Sequence, residues 1–252
     1  MYRAHERIAM KREWPVPDET PVIGPQELHV WRISLHSSHS IAALRAPLCH
    51  AEQLRADRFR FDLHRNRYIV ARNALRHLLA RYLSREPESV EFEYGIHGKP
   101  ALASSMISPI TFNLSHSDDM ALAAFTMNSR IGVDIEKIEA DRELDKLATR
   151  YFAPSEVEAY HNFPVAQRPE VFYRGWTRKE AFIKTLGEGL SHGLDSFSVS
   201  LTKTASFLHV DGDESIPKRW SLLNLDAAPG FCAAVAVETT PVQLKTFEYA
   251  PN

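Results

Sequence analysis

The chain is poor in cysteine and has no long apolar run. Its 252 residues include two cysteines, Cys49 and Cys232, which lie far apart in unrelated contexts. This scarcity argues against a disulfide framework or a thiolate metal centre and is typical of a reducing compartment. No uninterrupted apolar stretch approaches the roughly 20 residues that a membrane helix needs, and residues 1–14 contain no apolar leader region. We therefore expect a soluble cytoplasmic protein.

The chain also lacks an excess of either charge. Its 30 basic and 32 acidic residues leave a net charge of −2. This balance argues against a general nucleic-acid binder, so any recognition of phosphate has to come from a local cluster of residues. Hydrophobic residues make up 44% and charged residues 25% of the chain, which is typical of a globular protein with one large domain or two modest ones.

Short strands and two helical regions alternate along the chain. Residues 1–26 predict an extended arm in which four prolines recur without periodicity. Alternating apolar positions predict strands near 28–35, 90–94, 111–114, 120–127, 132–138, 197–201 and 231–237. Helical periodicity covers about 50–83 and 154–186. Mixed helices and short strands in this order predict an α+β protein.

The two helical regions belong to an apparent internal repeat. A shift of 107 residues places Arg67 on Arg174 and makes eight positions of the aligned stretch identical. A duplicated unit predicts a pseudo-dimer of two similar halves about a pseudo-twofold axis, with a cleft between them that favours ligand binding. We place the halves at 27–119 and 120–252. The alternative is that two helix–strand units share their composition by accident.

Two acidic residues mark the strand IGVDIE (131–136). Apolar and acidic residues alternate here, so Asp134 and Glu136 share one face of the strand. Two carboxylates about 7 Å apart on one face repel each other unless a cation lies between them. Oxygen ligands without a nearby histidine or cysteine favour Mg²⁺ over zinc. The alternative for a lone pair of this kind is a solvated edge strand.

A charged helical segment, WTRKEAFIK (176–184), offers further candidates. Glu180 and Lys184 are four residues apart and share a helix face. One could be a third metal ligand and the other a phosphate contact, and the alternative is an exposed helical ion pair. The glycines of GEG (187–189) follow the helix instead of opening one, so we interpret them as a C-cap and not as a phosphate loop.

Two polar clusters complete the candidate set. FNLSHS (112–117) ends a strand with hydroxyl and imidazole groups that can donate to phosphate oxygens, although a polar turn is the alternative. We do not expect Ser115 and His116 to form a nucleophilic pair, because neighbours in a strand face opposite ways and no G-x-S-x-G sequence surrounds them. HGKP (97–100) predicts a tight turn that presents Lys99, or simply a surface hairpin.

Each of these signals is weak alone, but their order along the chain is specific. HGKP (97–100), FNLSHS (112–117), IGVDIE (131–136) and WTRKEAFIK (176–184) together closely resemble the phosphopantetheinyl transferases. The chain length resembles the large, monomeric Sfp type, and the resemblance covers roughly 54–237. It implies two similar halves around a pseudo-twofold axis, with coenzyme A and Mg²⁺ in the cleft between them.

The resemblance implies roles for three carboxylates and one lysine. Asp134, Glu136 and Glu180 would hold Mg²⁺, and Asp134 would thereby also contribute to binding coenzyme A. Glu180 or an activated water would remove the proton from the carrier serine, and Lys184 would stabilise the leaving group. Positively charged groups would offset the charge of the pyrophosphate, so that catalysis consists mostly of positioning and electrostatics.

Phosphate recognition is the second set of implied roles. The side chains that would contact the phosphates of coenzyme A are basic or hydroxylic: Arg67, Lys99, Ser115, His116, Lys179 and Lys184. Within this set, Arg67 best matches the contact to the ribose phosphate. Arg55 and Arg60 are weaker candidates for the same contact.

The implied reaction transfers the 4′-phosphopantetheine arm of coenzyme A to a serine of an apo carrier protein and releases adenosine 3′,5′-bisphosphate. The carriers would serve fatty acid, polyketide or nonribosomal peptide synthesis, and we expect a monomeric enzyme that binds neither nucleic acid nor membrane. One alternative is a metal-dependent hydrolase of coenzyme A or nucleotide pyrophosphates, in which the same carboxylates activate water. Another is a non-catalytic carrier-binding module, which the presence of the carboxylates and Lys184 argues against.

Overall fold

The computed structural model describes residues 14–140, 142–187, 193–210 and 213–251. The strands are β1 (Glu27–Ser34), β2 (Phe92–Tyr94), β3 (Pro100–Leu102), β4 (Ile110–Ser117), β5 (Met120–Met127), β6 (Ile131–Lys137), β7 (Phe197–Val199), β8 (Phe207–Val210), β9 (Ser221–Asn224), β10 (Phe231–Val237) and β11 (Gln243–Glu248). The helices are α1 (Ile41–Arg45), α2 (His50–Asp57), α3 (Asp62–Leu83), α4 (Leu144–Tyr151), α5 (Pro154–His161), α6 (Arg168–Leu186) and α7 (Ile216–Arg219). None of the helices that the structure describes combines the length and the apolarity that crossing a bilayer requires.

Two sheets in which equivalent strands lie side by side in the same order form the centre of the molecule. The first has the strand order β11-β1-β5-β4, and the second has the order β6-β10-β9. Each of the long helices, α3 and α6, is followed by a short hairpin, β2-β3 or β7-β8, and then by two further strands. The series β1-β5-β4 therefore corresponds to β6-β10-β9. The α+β pseudo-dimer predicted from the sequence is confirmed.

Buried ion pairs show the same duplication at the level of side chains. Glu52 accepts a hydrogen bond from the N-cap amide of α2 (2.9 Å) and pairs with Arg72 on α3. Glu156 accepts one from the N-cap amide of α5 (2.8 Å) and pairs with Lys179 on α6. The 107-residue shift places Arg72 on Lys179. Each half thus fastens its shorter helix to its long helix by an equivalent ion pair.

Apolar side chains fill three spaces: one between α3 and the first sheet, one between the two sheets, and one between the second sheet and α6. In β5, Ala123 and Phe125 face α3, whereas Leu122 and Ala124 face the second sheet. This division follows from the alternation of side chains along a strand. In β10, Val235 faces the first sheet and its neighbours on either side face α6. The helices and sheets are therefore stacked in the order helix, sheet, sheet, helix, and the two halves contact each other through their sheets.

The boundary between the halves lies later than the sequence suggests. β5 pairs antiparallel with both β1 and β4, so it belongs to the first sheet. A boundary at 119/120 falls inside the β4-β5 hairpin, where Asp118 adopts a left-handed conformation (φ 50°) and reverses the chain. β11 also returns to the first sheet, where it pairs parallel with β1. We therefore describe the halves as 27–127 and 131–237.

The described part of the arm packs against the body of the protein. The Trp14 indole donates to the Asp226 carbonyl (2.7 Å), and the Arg32 guanidinium lies 5.3 Å from the centre of the indole ring. Ile23 is buried in the apolar cluster between the first sheet and α3. Residues 1–13 of the predicted arm lie outside the described residues.

Candidate active site

Polar side chains join β4 of the first half to β6 of the second. Alternate residues of β4 point toward β6, because side chains alternate between the two faces of a strand. Four hydrogen bonds cross the gap: Asn113 Oδ1 accepts from Val133 N (2.9 Å), Ser115 Oγ donates to Asp134 Oδ1 (2.9 Å), and Ser117 Oγ donates to Glu136 Oε2 (2.8 Å) and accepts from Lys137 N (3.1 Å). We refer to these residues as the polar seam.

A glycine brings helix α6 against the seam. A Cβ atom at Gly132 would lie 2.1 Å from the Ala181 carbonyl oxygen and 2.8 Å from the Thr185 amide nitrogen. Such distances exclude any side chain, so the close approach of α6 to β6 requires glycine at this position. The approach places Glu180 and Lys184, one helical turn apart on α6, beside the seam.

Helix α6 ends in the C-cap that the sequence predicts. Gly187 adopts a left-handed conformation (φ 72°), and its amide donates to the Ile183 carbonyl. This geometry is favoured at glycine because a side chain there would be strained. Residues 188 and 189 of the GEG sequence lie outside the described residues.

Lys184 is the cation at the centre of the seam. Its ammonium donates to Asp134 Oδ1 (2.6 Å) and to Ser115 Oγ (2.8 Å). Asp134 is only 3% exposed, and burial raises the pKa of its carboxyl group, although the bonds from Lys184 and Ser115 act in the opposite direction. The strand is therefore not a solvated edge at this point. Lys184 pairs across the seam with Asp134, and not along the helix with Glu180.

The three candidate carboxylates lie within electrostatic reach of one another. Burial, and then the negative charge of Asp134, raise the pKa of Glu180 to about 7. The same two causes raise the pKa of Glu136. Within the described ranges, no three histidine, cysteine or carboxylate side chains converge closely enough to form a complete metal site. The carboxylates thus share one region and repel one another there.

The donor set fits a hard divalent cation. Asp134, Glu136 and Glu180 offer only oxygen atoms, which Mg²⁺ prefers over imidazole or thiolate ligands. Asp134 Oδ2 is buried and has no hydrogen-bond partner among the described residues. A cation at this oxygen would give it a partner and would offset the repulsion between the carboxylates.

One aspartate holds two basic groups at the mouth of the cleft. Lys137 donates to one oxygen of Asp118 and Arg67 Nη2 to the other (2.6 Å), and both bonds lower the pKa of this carboxyl group. His116 is exposed nearby. Partial desolvation in the cleft, and then the charges of Lys184 and Arg67, lower the pKa of its imidazole. The first half therefore lines the mouth with groups that can donate to phosphate.

The two weaker arginine candidates stack on aromatic rings. Arg55 lies 5.5 Å from the centre of the Tyr68 ring, and Arg60 lies 5.3 Å from that of Phe61. The charge of Arg55 also contributes to the lowered pKa of His116, so Arg55 lies within electrostatic reach of the cleft.

The structure does not bring Lys179 to the cleft. Its side chain is fully buried, and its ammonium contacts Glu156 Oε2 (2.7 Å) and the carbonyl oxygens of Leu194 (2.7 Å) and Phe197 (2.6 Å). An ammonium with three protein acceptors has no proton left for a ligand. Lys179 therefore fastens α6 to α5 and to the segment before β7, and we leave it out of the proposed binding set.

Lys99 reaches the cleft wall but turns away from the carboxylates. Its ammonium donates to backbone carbonyl oxygens of the second half, and burial, followed by the charges of Arg130 and Lys184, lowers its pKa to about 8. Lys99 lies between two cavities. A cavity of about 280 Å³ on one side also borders Glu180 and Lys184, and one of about 950 Å³ on the other borders Arg130.

The sequence predicts the carboxylates and Lys184 but points only indirectly to two other residues of the site. The signal for Ser117 is the N-x-S-x-S alternation of β4, which has the same period of two as the D-x-E alternation of β6. The signal for Gly132 is weaker, because a glycine within a strand indicates only that another chain segment approaches closely. The expectation that Ser115 and His116 face opposite ways is confirmed, since Ser115 is buried in the seam and His116 is exposed.

Both halves of the chain match one family of known proteins. Residues 31–128 match the family described as 4′-phosphopantetheinyl transferase, N-terminal. Residues 130–236 match the 4′-phosphopantetheinyl transferase superfamily. The junction between the two matches coincides with the boundary that the sheets define.

Two relatives agree with this assignment in sequence. The 4′-phosphopantetheinyl transferase HetI of Nostoc sp. is 36% identical over 243 residues, which cover 95% of this chain and 100% of that protein. The 4′-phosphopantetheinyl transferase Sfp of Bacillus subtilis is 32% identical over 155 residues, 62% of this chain and 63% of Sfp. Among solved structures, the holo-[acyl-carrier-protein] synthase of Thermotoga maritima is similar with a TM-score of 0.35 and 25% identity, over 43% of this chain and 62% of that one.

Proposed function

The chain belongs to the 4′-phosphopantetheinyl transferase superfamily, and we propose that the polar seam between its halves is the active site. The enzyme transfers the 4′-phosphopantetheine arm of coenzyme A to a serine of an apo carrier protein. The observation that supports the site is the Lys184 ammonium, which bonds Asp134 Oδ1 at 2.6 Å and Ser115 Oγ at 2.8 Å beside two further carboxylates. Positive and negative groups thus meet where the two halves join.

Asp134, Glu136 and Glu180 are the residues that would hold Mg²⁺. When bound, the ion would neutralise charge on the pyrophosphate of coenzyme A and on the carboxylates themselves. The unpartnered Asp134 Oδ2 supports this assignment, because a buried carboxylate oxygen without a partner is costly. Ser115 and Ser117 orient the carboxylates from the opposite strand.

The groups for phosphate recognition come from both halves. Lys184 projects from α6, and His116 and Arg67 stand at the mouth of the cleft in the first half. Ser115 lies between them in the seam. Arg67 and Ser115 can exchange a protein acceptor for a phosphate oxygen, since each currently donates to a carboxylate. These four side chains are our proposed contacts to coenzyme A.

The reaction requires a deprotonated serine and a stabilised leaving group. We assign to Glu180 the removal of the proton from the carrier serine, because its carboxylate makes no hydrogen bond or ion pair within the described ranges. The serine oxygen then forms a bond to the phosphorus nearest the pantetheine, and the bond from that phosphorus to the bridging oxygen breaks. Adenosine 3′,5′-bisphosphate leaves with the electron pair, and Lys184 offsets its negative charge.

The partners and the setting remain predictions. We expect a monomeric cytoplasmic enzyme that modifies carriers of fatty acid, polyketide or nonribosomal peptide synthesis. Both cysteines are free in the structure, as a reducing compartment would require.

Intact-mass spectrometry of an apo carrier protein tests the function. With the enzyme, coenzyme A and Mg²⁺, the carrier should gain the mass of one phosphopantetheine arm. A chelator should abolish the gain, and added Mg²⁺ should restore it. Breakdown of coenzyme A without a mass gain on fatty-acid, polyketide or peptide carriers would indicate a hydrolase instead. Intact coenzyme A and unmodified carriers would indicate a binding module.

A further inference from the structure

The resemblance to the family implies a phosphate contact for Lys99, but its position in the structure differs from that role. The residue ends the turn between β2 and β3, where Gly98 adopts φ 78°. Its side chain extends from the first half to the end of α6, and its Cδ would lie 3.8 Å from a Cβ at Gly187. The ammonium of a first-half residue is therefore placed within the second half.

Among the described residues, all the acceptors of this ammonium are backbone carbonyls of the second half. Lys99 Nζ donates to Ile131 O (3.0 Å), to Thr185 O (3.5 Å) and to Lys184 O. An ammonium has three protons, so none is left for a phosphate in this arrangement. Two of the carbonyls belong to the last turn of α6, where they have no partner within the helix and where a positive charge is favoured by the helix dipole.

These contacts hold the two elements that carry the seam. Lys184 is bound at both ends, because Lys99 fixes its carbonyl while its own ammonium bonds Asp134. Ile131 begins β6 and immediately precedes Gly132, at the point where α6 and β6 make their closest approach. One side chain thus joins the β2-β3 hairpin, the start of β6 and the end of α6.

We propose that Lys99 is a positioning residue that clamps the end of α6 to β6 and thereby holds Lys184 against Asp134. The catalytic role of Lys184 rests on the proposed function. Loss of the ammonium would remove the donor that these three carbonyls share and would free the last turn of α6 to shift. A displacement of about 1 Å in a catalytic group can lower turnover by roughly 100-fold.

Steady-state kinetics separate positioning from direct phosphate binding. Lys99→Met removes the charge but keeps a similar volume, and Lys99→Arg keeps both the charge and several donors. We expect Lys99→Met to lower kcat by roughly 10- to 100-fold with little change in KM for coenzyme A, and Lys99→Arg to recover most of kcat. Lys146→Met is the control, since Lys146 is exposed and its only ion pair within the described part of the chain is with Glu143. A raised KM with a normal kcat in Lys99→Met would overturn the proposal.

Hydrogen exchange tests the clamp without any need for activity. In Lys99→Met, amides in the last turn of α6 and at the start of β6 should exchange faster than in the wild type, whereas Lys146→Met should match the wild type. Unchanged exchange at both places would overturn the proposal. If the wild type modifies no carrier but the exchange result holds, the proposed function fails while the clamp itself stands. Lys99→Gln provides the same two measurements if Lys99→Met does not fold.

Discussion

The two halves share one framework but differ in what faces the long helix. On β1, the side chains that face α3 are large: His29, Trp31 and Ile33. On β6, the residues that face α6 are small or acidic: Gly132, Asp134 and Glu136. The first half therefore closes its strand–helix interface with rings and apolar groups. The second half brings its helix closer and leaves carboxylates at the interface.

The long helices α3 and α6 also differ in the residues that occupy equivalent positions. The 107-residue shift places Glu180 on Asn73 and Lys184 on His77. Asn73 Nδ2 donates to the Leu44 carbonyl (2.9 Å), a contact that ties α3 to α1. Glu180 makes no such bond among the described residues. The duplication therefore supplied two copies of the framework, and the proposed metal-binding carboxylates all belong to the second copy.

Within the described part of the chain, the polar groups between β1 and α3 are all paired, whereas a carboxylate oxygen between β6 and α6 is not. Trp31 Nε1 donates to Tyr82 Oη (2.8 Å), so the Tyr82 hydroxyl proton is directed to His29 Nδ1 (2.8 Å). His29 then carries its proton on Nε2 and donates to Glu27 (3.2 Å). This buried chain of donors and acceptors is complete. Asp134 Oδ2, in contrast, is buried without a partner among the described residues.

Among substitutions at the two strand–helix interfaces, Gly132→Ala should have the largest effect. The added methyl group would lie 2.1 Å from the Ala181 carbonyl oxygen, so α6 has to move away from β6. We expect the free energy of unfolding to fall by more than about 3 kcal/mol and transfer to be lost. Thermal denaturation and the carrier-mass assay measure both. Gly95→Ala is the matched control, because its Cβ would meet nothing closer than 3.8 Å. Equal stability of the two variants would refute the close approach.

Glu180→Gln should remove activity without loss of stability. The amide keeps the shape of the side chain but cannot accept the proton of the carrier serine, and loss of a general base typically lowers kcat by about 100-fold or more. Relief of the repulsion from Asp134 should leave the fold at least as stable. Glu170→Gln, on the same helix in an exposed pair with Arg174, provides the control. Near-normal turnover in Glu180→Gln would exclude Glu180 as the base.

The difference between the two strand–helix interfaces also explains which residues of the site the sequence could predict. Two signals can be read from the sequence alone. The period-two alternation in IGVDIE predicted the carboxylates, and the shift of 107 residues predicted the two halves. Lys179 and Lys184 both lie in the charged segment of α6, yet only Lys184 enters the seam. Their burial depends on which face of α6 meets β6, and that contact is set by Gly132 and by tertiary packing. The pairing of β11 with β1 likewise depends on strands far apart in the chain.

The equivalent ion pairs should affect stability alone. Glu52→Gln leaves two buried cations, Arg72 and Arg76, without their anion, and Glu156→Gln leaves one, Lys179. We expect each to lower the free energy of unfolding by about 3 kcal/mol, with kcat for the folded enzyme unchanged. Denaturant titration and kinetics at low temperature measure the two quantities. A selective loss of kcat in Glu156→Gln would mean that the second pair takes part in catalysis.

Ser117→Ala should have the smallest effect. It removes the hydrogen bond that Ser117 Oγ donates to Glu136, worth about 1 kcal/mol, and the one that it accepts from the Lys137 amide (3.1 Å), and it leaves the carboxylate less firmly oriented. We expect a decrease in kcat of severalfold and partial rescue by threonine, which keeps the hydroxyl group. Ser105→Ala, which removes an exposed bond to Glu91, is the control. The same kcat in Ser117→Ala and Ser105→Ala would show that this bond does not orient the site.

The most direct test of the active site proposed at the polar seam is Asp134→Asn. The substitution keeps the shape of the side chain but removes the charge that pairs with Lys184 and would bind Mg²⁺. Intact-mass time courses on an apo carrier, run beside thermal denaturation, measure activity and folding together. We predict no detectable transfer of phosphopantetheine by a variant that still folds cooperatively. Transfer at the wild-type rate would contradict the placement of the active site at the polar seam.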